Sequence, residues 1–266
     1  RNNKENGGVY SQRNDVFRLN LATGFRAPNT SELLSNGVHE GTQRYEIGSA
    51  NLQSEEAVQL DFTFDYHTEH ISFSLSPFIN FINHFIYLSP TDSIIDEVPV
   101  YSYQQNKAKL YGGEAGVHFH PHGLHWLHVE SAVSTVLAED SHGDPLPLIP
   151  ATNVKSKVKA MLSQKGNIQI KELFLQYNYT FDQHRVGEFE IASSGYGLIN
   201  IGCDMTIATK GKPIEISTGI NNLANVRYIS HLSRLKSIDV PNQGINFYLG
   251  IKLGFAKKLQ KDSPIH

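Results

Sequence analysis

The residues with the clearest capacity for chemistry in this sequence are its histidines, of which there are 13 among 266 residues. Imidazole is a good ligand for zinc, copper and iron, so metal binding is the first chemistry to consider. A single cysteine, Cys203, excludes an intrachain disulfide and every zinc or iron–sulfur motif that needs several thiolates. The densest group of imidazoles comprises His118, His120, His122, His125 and His128.

A second candidate site lies in the segment 37–46. His39, Glu40, Tyr45 and Glu46 provide an imidazole, two carboxylates and a phenol within eight residues. Carboxylate neighbours lower the cost of holding a cation beside an imidazole, so we predict His39 and Glu40 as metal ligands. Tyr45 and Glu46 are predicted to contact the same substrate. In the alternative interpretation, His39 is a loop residue that bonds a neighbouring backbone carbonyl.

A third candidate site surrounds His231, because Arg227, Arg234 and Lys236 lie close to it in the sequence. Guanidinium and ammonium groups suit an anionic ligand that carries carboxylates or similar groups. We therefore predict His231 and Arg234 as substrate contacts. The alternative is that these basic side chains are solvated or bind lipopolysaccharide phosphates.

The elements that must position these residues are β-strands. Apolar and polar residues alternate with a period of two over long segments, whereas helical spacing is scarce. In 58–66, for example, Val, Leu, Phe, Phe and Tyr alternate with Gln, Asp, Thr and Asp. The predicted fold class is therefore all-β. Ten strands are predicted, at 13–25, 54–67, 69–88, 99–120, 123–137, 152–164, 168–182, 194–209, 212–222 and 243–255.

Strand length and loop rhythm separate two all-β architectures. Strands of a soluble sandwich run about 5–6 residues, whereas a tilted strand that crosses a bilayer needs about 9–11. Several segments here sustain the alternation for ten or more residues. Short and long connections also alternate, as they do in outer-membrane barrels with short periplasmic turns. We therefore predict an antiparallel transmembrane β-barrel, with long extracellular loops at 26–53, 89–98, 138–151, 183–193 and 223–242.

Aromatic residues near the predicted strand ends suit the interfacial girdles of such a barrel. Aromatic rings prefer the level of the lipid headgroups, where one end of the side chain is apolar and the other is wet. The alternative is that these residues are ordinary core aromatics. The set comprises Phe25, Tyr66, Phe85, Tyr87, Phe119, Trp126, Phe181, Tyr196 and Phe255.

One motif resembles the barrel of TonB-dependent outer-membrane receptors. Phe25, Arg26, Ala27 and Pro28 match the family's FRAP box, which ends one strand and opens a large extracellular loop. The predicted strand 13–25 ends at the same place and is followed by a long predicted loop. The motif and the predicted topology therefore agree.

Two further segments strengthen the resemblance. Asn51 and Leu52 belong to a stretch that looks like the family's NPNL-x-x-E segment, with Ser-Ala where Asn-Pro is common. Asn221–Asn222–Leu223 with Tyr228 resembles a late signature of the family. The matches occur in the family's order over nearly the whole chain.

The resemblance implies an organisation that composition alone does not show. Full receptors have a 22-stranded barrel, a plug that fills it, and a TonB box that couples uptake to the TonB–ExbB–ExbD complex. Residues 1–255 would then be the C-terminal ten strands of the barrel, and 256–266 a polar tail. The plug is expected outside this chain, which begins abruptly at Arg1. The expected location is the bacterial outer membrane, with outer-membrane lipid as a partner.

The resemblance also implies a cargo class. In haem-uptake members of the family, a histidine between the two matching segments is an axial haem ligand, and in the zinc-uptake branch loop histidines and carboxylates gather the ion. His39 occupies that interval. The expected function is active import of zinc, haem or an iron-siderophore, with the metal as cargo and no cofactor of the protein's own.

Barrel topology places the five clustered histidines on the periplasmic side. The cluster from His118 to His128 would then be a solvated periplasmic turn that permits only adventitious metal binding. Acidic residues on the inner face are expected to pair with plug residues or water, because they cannot face lipid. They are Asp61, Asp65, Glu172, Asp204 and Glu215.

Other function classes are disfavoured. The formal net charge is −3, from 23 basic and 26 acidic residues, so no polycationic surface for nucleic acid is present. A ten-stranded outer-membrane enzyme is the first alternative; only His142 with Asp140 and Asp144 forms a nearby grouping, and no G-x-S-x-G motif exists. A soluble β-sandwich binding module is the second. We expect a transporter and not an enzyme.

Overall fold

A computed structural model of the protein describes residues 14–39, 41, 43–162, 166–209 and 212–254. In these residues no helix has the length and apolar character needed to cross a bilayer. The elements are β1 Asn14–Arg26, α1 Thr30–Leu34, β2 Asn36–His39, β3 Arg44–Ile47, β4 Glu55–His67, β5 Ile71–Ile95, β6 Val98–Phe119, β7 Leu127–Asp140, β8 Asn153–Met161, β9 Ile168–Thr180, β10 Tyr196–Ile207, β11 Ile214–Asn221, a 3₁₀ helix Lys236–Ile238 and β12 Asn246–Leu253.

All the strands belong to one sheet. Ten of them pair antiparallel in the order β1-β4-β5-β6-β7-β8-β9-β10-β11-β12, so neighbours in the sheet are joined by successive hairpins. These ten strands correspond one to one with the ten predicted from the alternation, which confirms the all-β fold class. Within the described residues β1 and β12 are not paired with each other, so the sheet has two open edges.

The outer face of the sheet is apolar and exposed. On β1, Leu19 is 73% exposed, and on β12, Phe247 is 72% exposed. The register places apolar residues of neighbouring strands side by side, as in the row Val158, Leu175 and Ile201. No second sheet covers this row in the part of the chain that is described. The β-sandwich alternative is therefore wrong.

The inner face is polar and pairs its charges within the sheet. Arg18 of β1 contacts Asp65 of β4 at 2.5 Å, and Lys157 of β8 contacts Glu172 of β9 at 2.7 Å. Neighbouring strands thus neutralise one another's charges, because long side chains on the same face of adjacent strands reach diagonally across the register. The expectation that these acids pair only with a plug or water is therefore wrong for Asp65 and Glu172. It is also wrong for Glu215, which binds Lys252 at 2.9 Å.

The two ends of the sheet differ in their connections. One end, here called the turn end, has short turns such as 68–70 between β4 and β5 and 120–126 between β6 and β7. The other end, the loop end, carries the segments between β1 and β4, β7 and β8, β9 and β10, and β11 and β12. This alternation agrees with the predicted rhythm at every connection except one.

The exception is the predicted long loop at 89–98. Strands β5 and β6 continue through it as a hairpin that closes at Asp96 and Glu97. Both residues have positive φ, 50° and 63°. Positive φ at both central residues is the geometry that matches the twist of a two-residue hairpin, so the strands remain paired up to the turn.

Two of the predicted girdle aromatics lie on the inner face instead. The β5–β6 register shifts between Ile82 and Phe85, where His84 has φ 57°. A bulge adds one residue and therefore reverses which residues face inward. Phe85 and Tyr87 consequently pack against the buried core formed by Ile82, Ala108, Ala138 and Leu146.

Other aromatics keep the predicted outward position. Phe25 is 86% exposed at the end of β1, and Phe119, Trp126 and Phe181 are also exposed. Their position at strand ends agrees with an interfacial girdle. Tyr196 instead packs against Tyr228, with ring centroids 4.3 Å apart. Phe255 and the predicted tail 256–266 lie outside the described residues.

Candidate functional site

The segment that follows β1 is anchored by a buried ion-pair network. Arg26 contacts Glu32 of α1 at 2.8 Å and Glu55 of β4 at 2.7 Å. Both carboxylates are nearly buried, with side chains 10% and 11% exposed. Charges are tolerated at such depth only when paired and hydrogen-bonded. Arg26 therefore fixes the first long loop to the wall of the sheet.

A capping box completes this network. The Asn29 Oδ1 accepts a hydrogen bond from the Glu32 backbone N–H at 2.9 Å, and Glu32 Oε2 accepts one from the Asn29 backbone N–H at 2.8 Å. These bonds satisfy donors that the first turn of a helix leaves without partners. One carboxylate, Glu32, thus both starts α1 and neutralises Arg26.

The remaining residues of the predicted motifs lie where one secondary-structure element ends and the next begins. Phe25 points outward, and Ala27 and Pro28 follow β1 as the chain enters α1. Asn51 and Leu52 form the turn that precedes β4. These positions give the motif residues a structural role, because each one lies where a strand ends or where the next element is about to begin.

The loop after α1 forms a small hairpin that docks on β6. Strand β3 pairs with β2 and also lies parallel to β6. Arg44 contacts Glu46 at 2.8 Å and lies 4.9 Å above the ring of Tyr101. Tyr103 donates its hydroxyl to Glu46 at 3.4 Å. The predicted long loop 26–53 therefore contains a short helix and two short strands, which the sequence analysis did not predict.

The structure separates the residues predicted around His39. His39 is exposed at the end of β2, opposite Arg44. Tyr45 lies on the other face of the hairpin, where its hydroxyl donates to Asn36 Oδ1 at 2.9 Å. Glu46 is buried and already holds Arg44. His39 and Tyr45 therefore do not line one site, and Glu40 lies outside the described residues.

His231 is buried among three loops. Its imidazole Nδ1 lies 2.8 Å from the Ser193 hydroxyl and 3.1 Å from the Lys236 ammonium. Its Nε2 lies 3.1 Å from Glu190 Oε1, and the two side chains are only 3% and 7% exposed. An ammonium can only donate, so Nδ1 is an acceptor and Nε2 carries the proton towards the carboxylate.

Glu190 ties the same group to a further loop. Its Oε1 accepts the backbone N–H of Leu148, and its Oε2 accepts that of Gly187, both at 2.9 Å. Burial alone would raise the pKa of Glu190, but the hydrogen bonds from His231, Gly187 and Leu148 outweigh burial and lower it. We name this group the loop lock; it consists of Leu148, Gly187, Glu190, Ser193, His231 and Lys236.

The loop lock changes the interpretation of His231. The sequence predicts this residue as a substrate contact, but both of its ring nitrogens are engaged and the residue is 5% exposed. It therefore holds the loops from β7–β8, β9–β10 and β11–β12 together. Sequence reasoning missed Ser193 because no motif marks it; only the packing of separate loops reveals its role.

The order Ser193–His231–Glu190 has the members of a Ser-His-acid triad but not its arrangement. In that triad the imidazole Nε2 takes the serine proton and the acid binds Nδ1. Here the hydroxyl is at Nδ1 and the carboxylate at Nε2. Ser193 is also buried, and its backbone N–H and C=O pair with Gln183. The contact therefore stabilises loops.

The remaining candidates at the loop end are exposed. Arg234 makes no hydrogen bond or ion pair within the described ranges. His142 belongs to a turn in which Asp140 Oδ1 accepts the backbone N–H groups of His142 and Asp144, at 2.8 and 3.1 Å. The acid of the proposed enzyme grouping is therefore used to close a turn, as Asp residues commonly do.

A comparison with protein families identifies the barrel. The family model described as "TonB dependent receptor-like, beta-barrel" matches residues 8–223. That range includes nine of the ten sheet-forming strands in whole or in part and most of the loop end. The antiparallel order of these strands agrees with the β-barrel named in the family's description.

Solved structures show the same fold at low sequence identity. The copper transporter OprC is 18% identical and superposes with a TM-score of 0.70, covering 89% of this chain and 36% of that chain. The FrpB iron transporter from Neisseria meningitidis is 17% identical and superposes with a TM-score of 0.60; the match covers 89% of this chain and 35% of that chain. The siderophore receptor PirA from Acinetobacter baumannii is 13% identical and superposes with a TM-score of 0.59; the match covers 89% of this chain and 38% of that chain. This chain thus spans just over a third of their length.

Proposed function

Because this chain belongs to the family of TonB-dependent receptor β-barrels, we propose that it is part of an outer-membrane transporter that imports a metal ion or metal chelate. The observation that carries the proposal is the family match over a sheet with an apolar, exposed outer face and a charged, internally paired inner face. Such a sheet suits a barrel wall between lipid and an aqueous interior.

The family also decides between the classes that the sequence left open. Its members and the structural neighbours are receptors and transporters, not enzymes. This agrees with the structure, where Asp140 closes a turn and Ser193 is buried within the loop lock. We therefore propose a role in binding and transport and not in catalysis.

The outer face supports a location in the bacterial outer membrane. Leu249 is 68% exposed and Leu175 is 52% exposed, although both are large apolar residues in regular strands. Contiguous apolar surface of this kind marks an interaction site, and here its shape is a strand surface bounded by aromatics. Outer-membrane lipid is the partner that fits it.

The cargo class rests on the neighbours and on the loop end. OprC is named for copper, FrpB for iron and PirA for a siderophore. The loop end offers an exposed imidazole at His39 and exposed cationic groups at Arg227 and Arg234. Imidazole suits a transition metal, and guanidinium suits an anionic chelate. Zinc, copper, haem and an iron-siderophore are the cargoes to test, with His39 and Glu40 as proposed ligands of the metal.

Import against a gradient needs an energy source that the barrel wall does not provide. We assign that role to the TonB–ExbB–ExbD complex, acting through a plug and TonB box of the complete gene product. The metal is cargo in this proposal, so the barrel itself needs no resident cofactor.

A growth and uptake experiment tests the proposal. The gene is deleted, and growth and uptake are measured with zinc, copper, haem or ferric siderophore as the limiting metal source. The proposal predicts that one source no longer supports growth and that the wild-type gene restores it. Equal growth and uptake on all four sources would contradict the proposed function.

The same assay tests the proposed ligand. Complementation with His39→Ala should reduce uptake at least tenfold, because an axial or direct ligand is lost. His184→Ala is the matched control, since His184 is also exposed in a loop at the same end. Full uptake by the His39→Ala receptor for every metal source would show that His39 is not a ligand.

A further inference from the structure

Six histidines converge at the turn end of the sheet, the end opposite to the loop lock. They come from two neighbouring turns and the strands that enter them, because β5 pairs with β6 and β6 with β7. Five belong to the segment 118–128, and His70 joins them from the turn between β4 and β5. We name these residues the turn-end cluster; they are His70, His118, His120, His122, His125 and His128.

Three members of the turn-end cluster form a compact group. Ligand nitrogens of His118, His120 and His128 all lie within 4.8 Å of one another, and the three residues are half-buried. His118 Nε2 is 2.9 Å from His128 Nδ1. One of two bonded ring nitrogens must donate and the other accept, so a neutral pair shares a proton at the place where a cation would bind.

The spacing suits a tetrahedral metal site. A zinc ion with Zn–N bonds of about 2.0–2.1 Å holds its nitrogen ligands about 3.3 Å apart. The ligand nitrogens lie within 4.8 Å of one another, so the pair farthest apart must approach by at most about 1.5 Å to reach that distance. We propose that His118, His120 and His128 form a binding site for a divalent transition-metal ion, Zn²⁺ or Cu²⁺, with a fourth position open to solvent.

His70 is placed to orient one of these ligands. Its Nδ1 lies 3.3 Å from His120 Nε2, and its Nε2 lies 3.0 Å from His122 Nδ1. Metal-ligating histidines are commonly oriented by a hydrogen-bonded partner. His70 is therefore a positioning residue, and His122 extends the same chain of imidazoles.

The hydrogen bonds of the turn-end cluster run between imidazoles. His118 is bonded to His128, and His70 is bonded to His120 and His122. The carboxylate in register with His118 is Glu130, and it is ion-paired with Lys159. The nearest acid is therefore already paired with a lysine.

The three-histidine composition indicates the metal class. Imidazole ligands suit zinc, copper and nickel, whereas calcium and magnesium prefer oxygen ligands. A site with three protein nitrogens and one open position leaves the ion exchangeable. The sequence suggests a solvated turn here with adventitious binding only; the convergence of a second turn through His70 argues for a formed site.

The test uses the purified full-length receptor in detergent, stripped with a chelator and titrated with Zn²⁺ by calorimetry. We expect the double variant His118→Gln/His128→Gln to lose one Zn²⁺ equivalent or to bind it at least tenfold more weakly. With Cu²⁺ as the probe, electron paramagnetic resonance should show coupling to imidazole nitrogens that the double variant lacks.

The control comes from the same turn. His125→Gln removes an exposed imidazole whose ring centroid is 6.5 Å from that of His120, so Zn²⁺ affinity should stay within twofold of wild type. The heat-modifiable gel mobility of folded barrels shows that each variant is assembled, and the single variant His128→Gln replaces the double variant if the latter misfolds. Equal Zn²⁺ stoichiometry and affinity in wild type and the folded variant would overturn the proposal.

This inference stands apart from the proposed function. The titration needs neither TonB nor a cargo, so a failed uptake experiment leaves its outcome unaffected. Conversely, a receptor that loses the turn-end site and still imports its cargo would leave the proposed function intact.

Discussion

The two ends of the sheet use histidine in opposite ways. At the loop end, His231 is buried and is held by a carboxylate, a hydroxyl and an ammonium. At the turn end, His118, His120 and His128 are half-buried and have one another as neighbours. The first arrangement places a polar partner beside each ring nitrogen of His231, and the second places ring nitrogens of three imidazoles within 4.8 Å of one another.

This difference shows that the groups bonded to an imidazole determine whether it has a structural role or is available to bind metal. A carboxylate fixes the tautomer and orientation of His231, so the ring becomes a structural link between loops. Imidazoles bonded only to other imidazoles have no carboxylate that fixes them as structural links, and their ring nitrogens lie close enough together to share a metal ion. Density of histidines in the sequence does not distinguish these cases.

The largest expected effect tests whether ion pairs hold the loop end. Arg26→Ala should lower the free energy of unfolding by about 2–3 kcal/mol, because Glu32 and Glu55 are left nearly buried without a cationic partner. Breaking a fully buried pair costs about 3–5 kcal/mol, and the half-exposed guanidinium reduces that figure. Urea unfolding in lipid vesicles measures the change, with Arg18→Ala as a control for an exposed pair. Equal stability of the Arg26→Ala and Arg18→Ala receptors would contradict the claim that the ion pairs of Arg26 hold the loop end.

The second effect concerns the loop lock. Glu190→Gln keeps the shape but removes the charge that His231 contacts, and it should weaken local stability by about 1–3 kcal/mol. Amides of Gly187 and Leu148 donate to Glu190, so their hydrogen exchange should accelerate at least about fivefold, the factor that corresponds to 1 kcal/mol. Glu188→Gln, at an exposed neighbouring position, is the control. Unchanged exchange in the Glu190→Gln variant would show that the loops are held otherwise.

The third effect sharpens the description of the turn end. His70→Gln should weaken Zn²⁺ binding about tenfold, because the partner of His120 is lost while all three ligands remain. His67→Gln is the control, since His67 bonds Ser72 and lies outside the cluster. Calorimetry on the full-length receptor measures both. Identical affinities of the two variants would show that His70 does not position a ligand.

The smallest effect is the response of the loop lock to acid. The folded pKa of Glu190 is lowered, so its contribution to stability is present above the unfolded value of about 4.3 and is lost as pH falls through the folded value. Exchange at Gly187, corrected for intrinsic rates, should therefore be constant above pH 5 and accelerate below pH 4. The Glu190→Gln receptor should lack this step. A step of equal size in that variant would assign it to another group.

Much of the fold was predictable because a period of two is a direct consequence of strand geometry. All ten sheet-forming strands were anticipated from it, with ends within a few residues except for β5 and some strand ends near turns. The alternation does not show where a bulge reverses which residues of a strand face inward. The bulge at His84 reverses the faces of Phe85 and Tyr87, and the hairpin at Asp96 and Glu97 depends on turn geometry.

The sites were less predictable, for a physical reason. The network of Arg26, Glu32 and Glu55 joins residues up to 29 positions apart, and the loop lock joins Ser193 to His231 across 38. The basic residues close to His231 in the sequence therefore suggested that it contacts the cargo. In the folded chain His231 instead contacts residues of another loop and links the loops together. The turn-end cluster was visible except for His70, which joins only because successive hairpins place their turns side by side.

The most direct test of the account asks which face of the sheet meets lipid. In a receptor with Cys203→Ser, spin labels are placed separately at Leu175→Cys and Gln176→Cys, neighbours on β9, and the receptor is reconstituted in vesicles. We predict that the label at 175 is relaxed mainly by oxygen, which partitions into lipid, and the label at 176 mainly by a water-soluble nickel reagent. Equal accessibility of the two positions to both reagents would contradict a barrel wall with lipid on one side and water on the other.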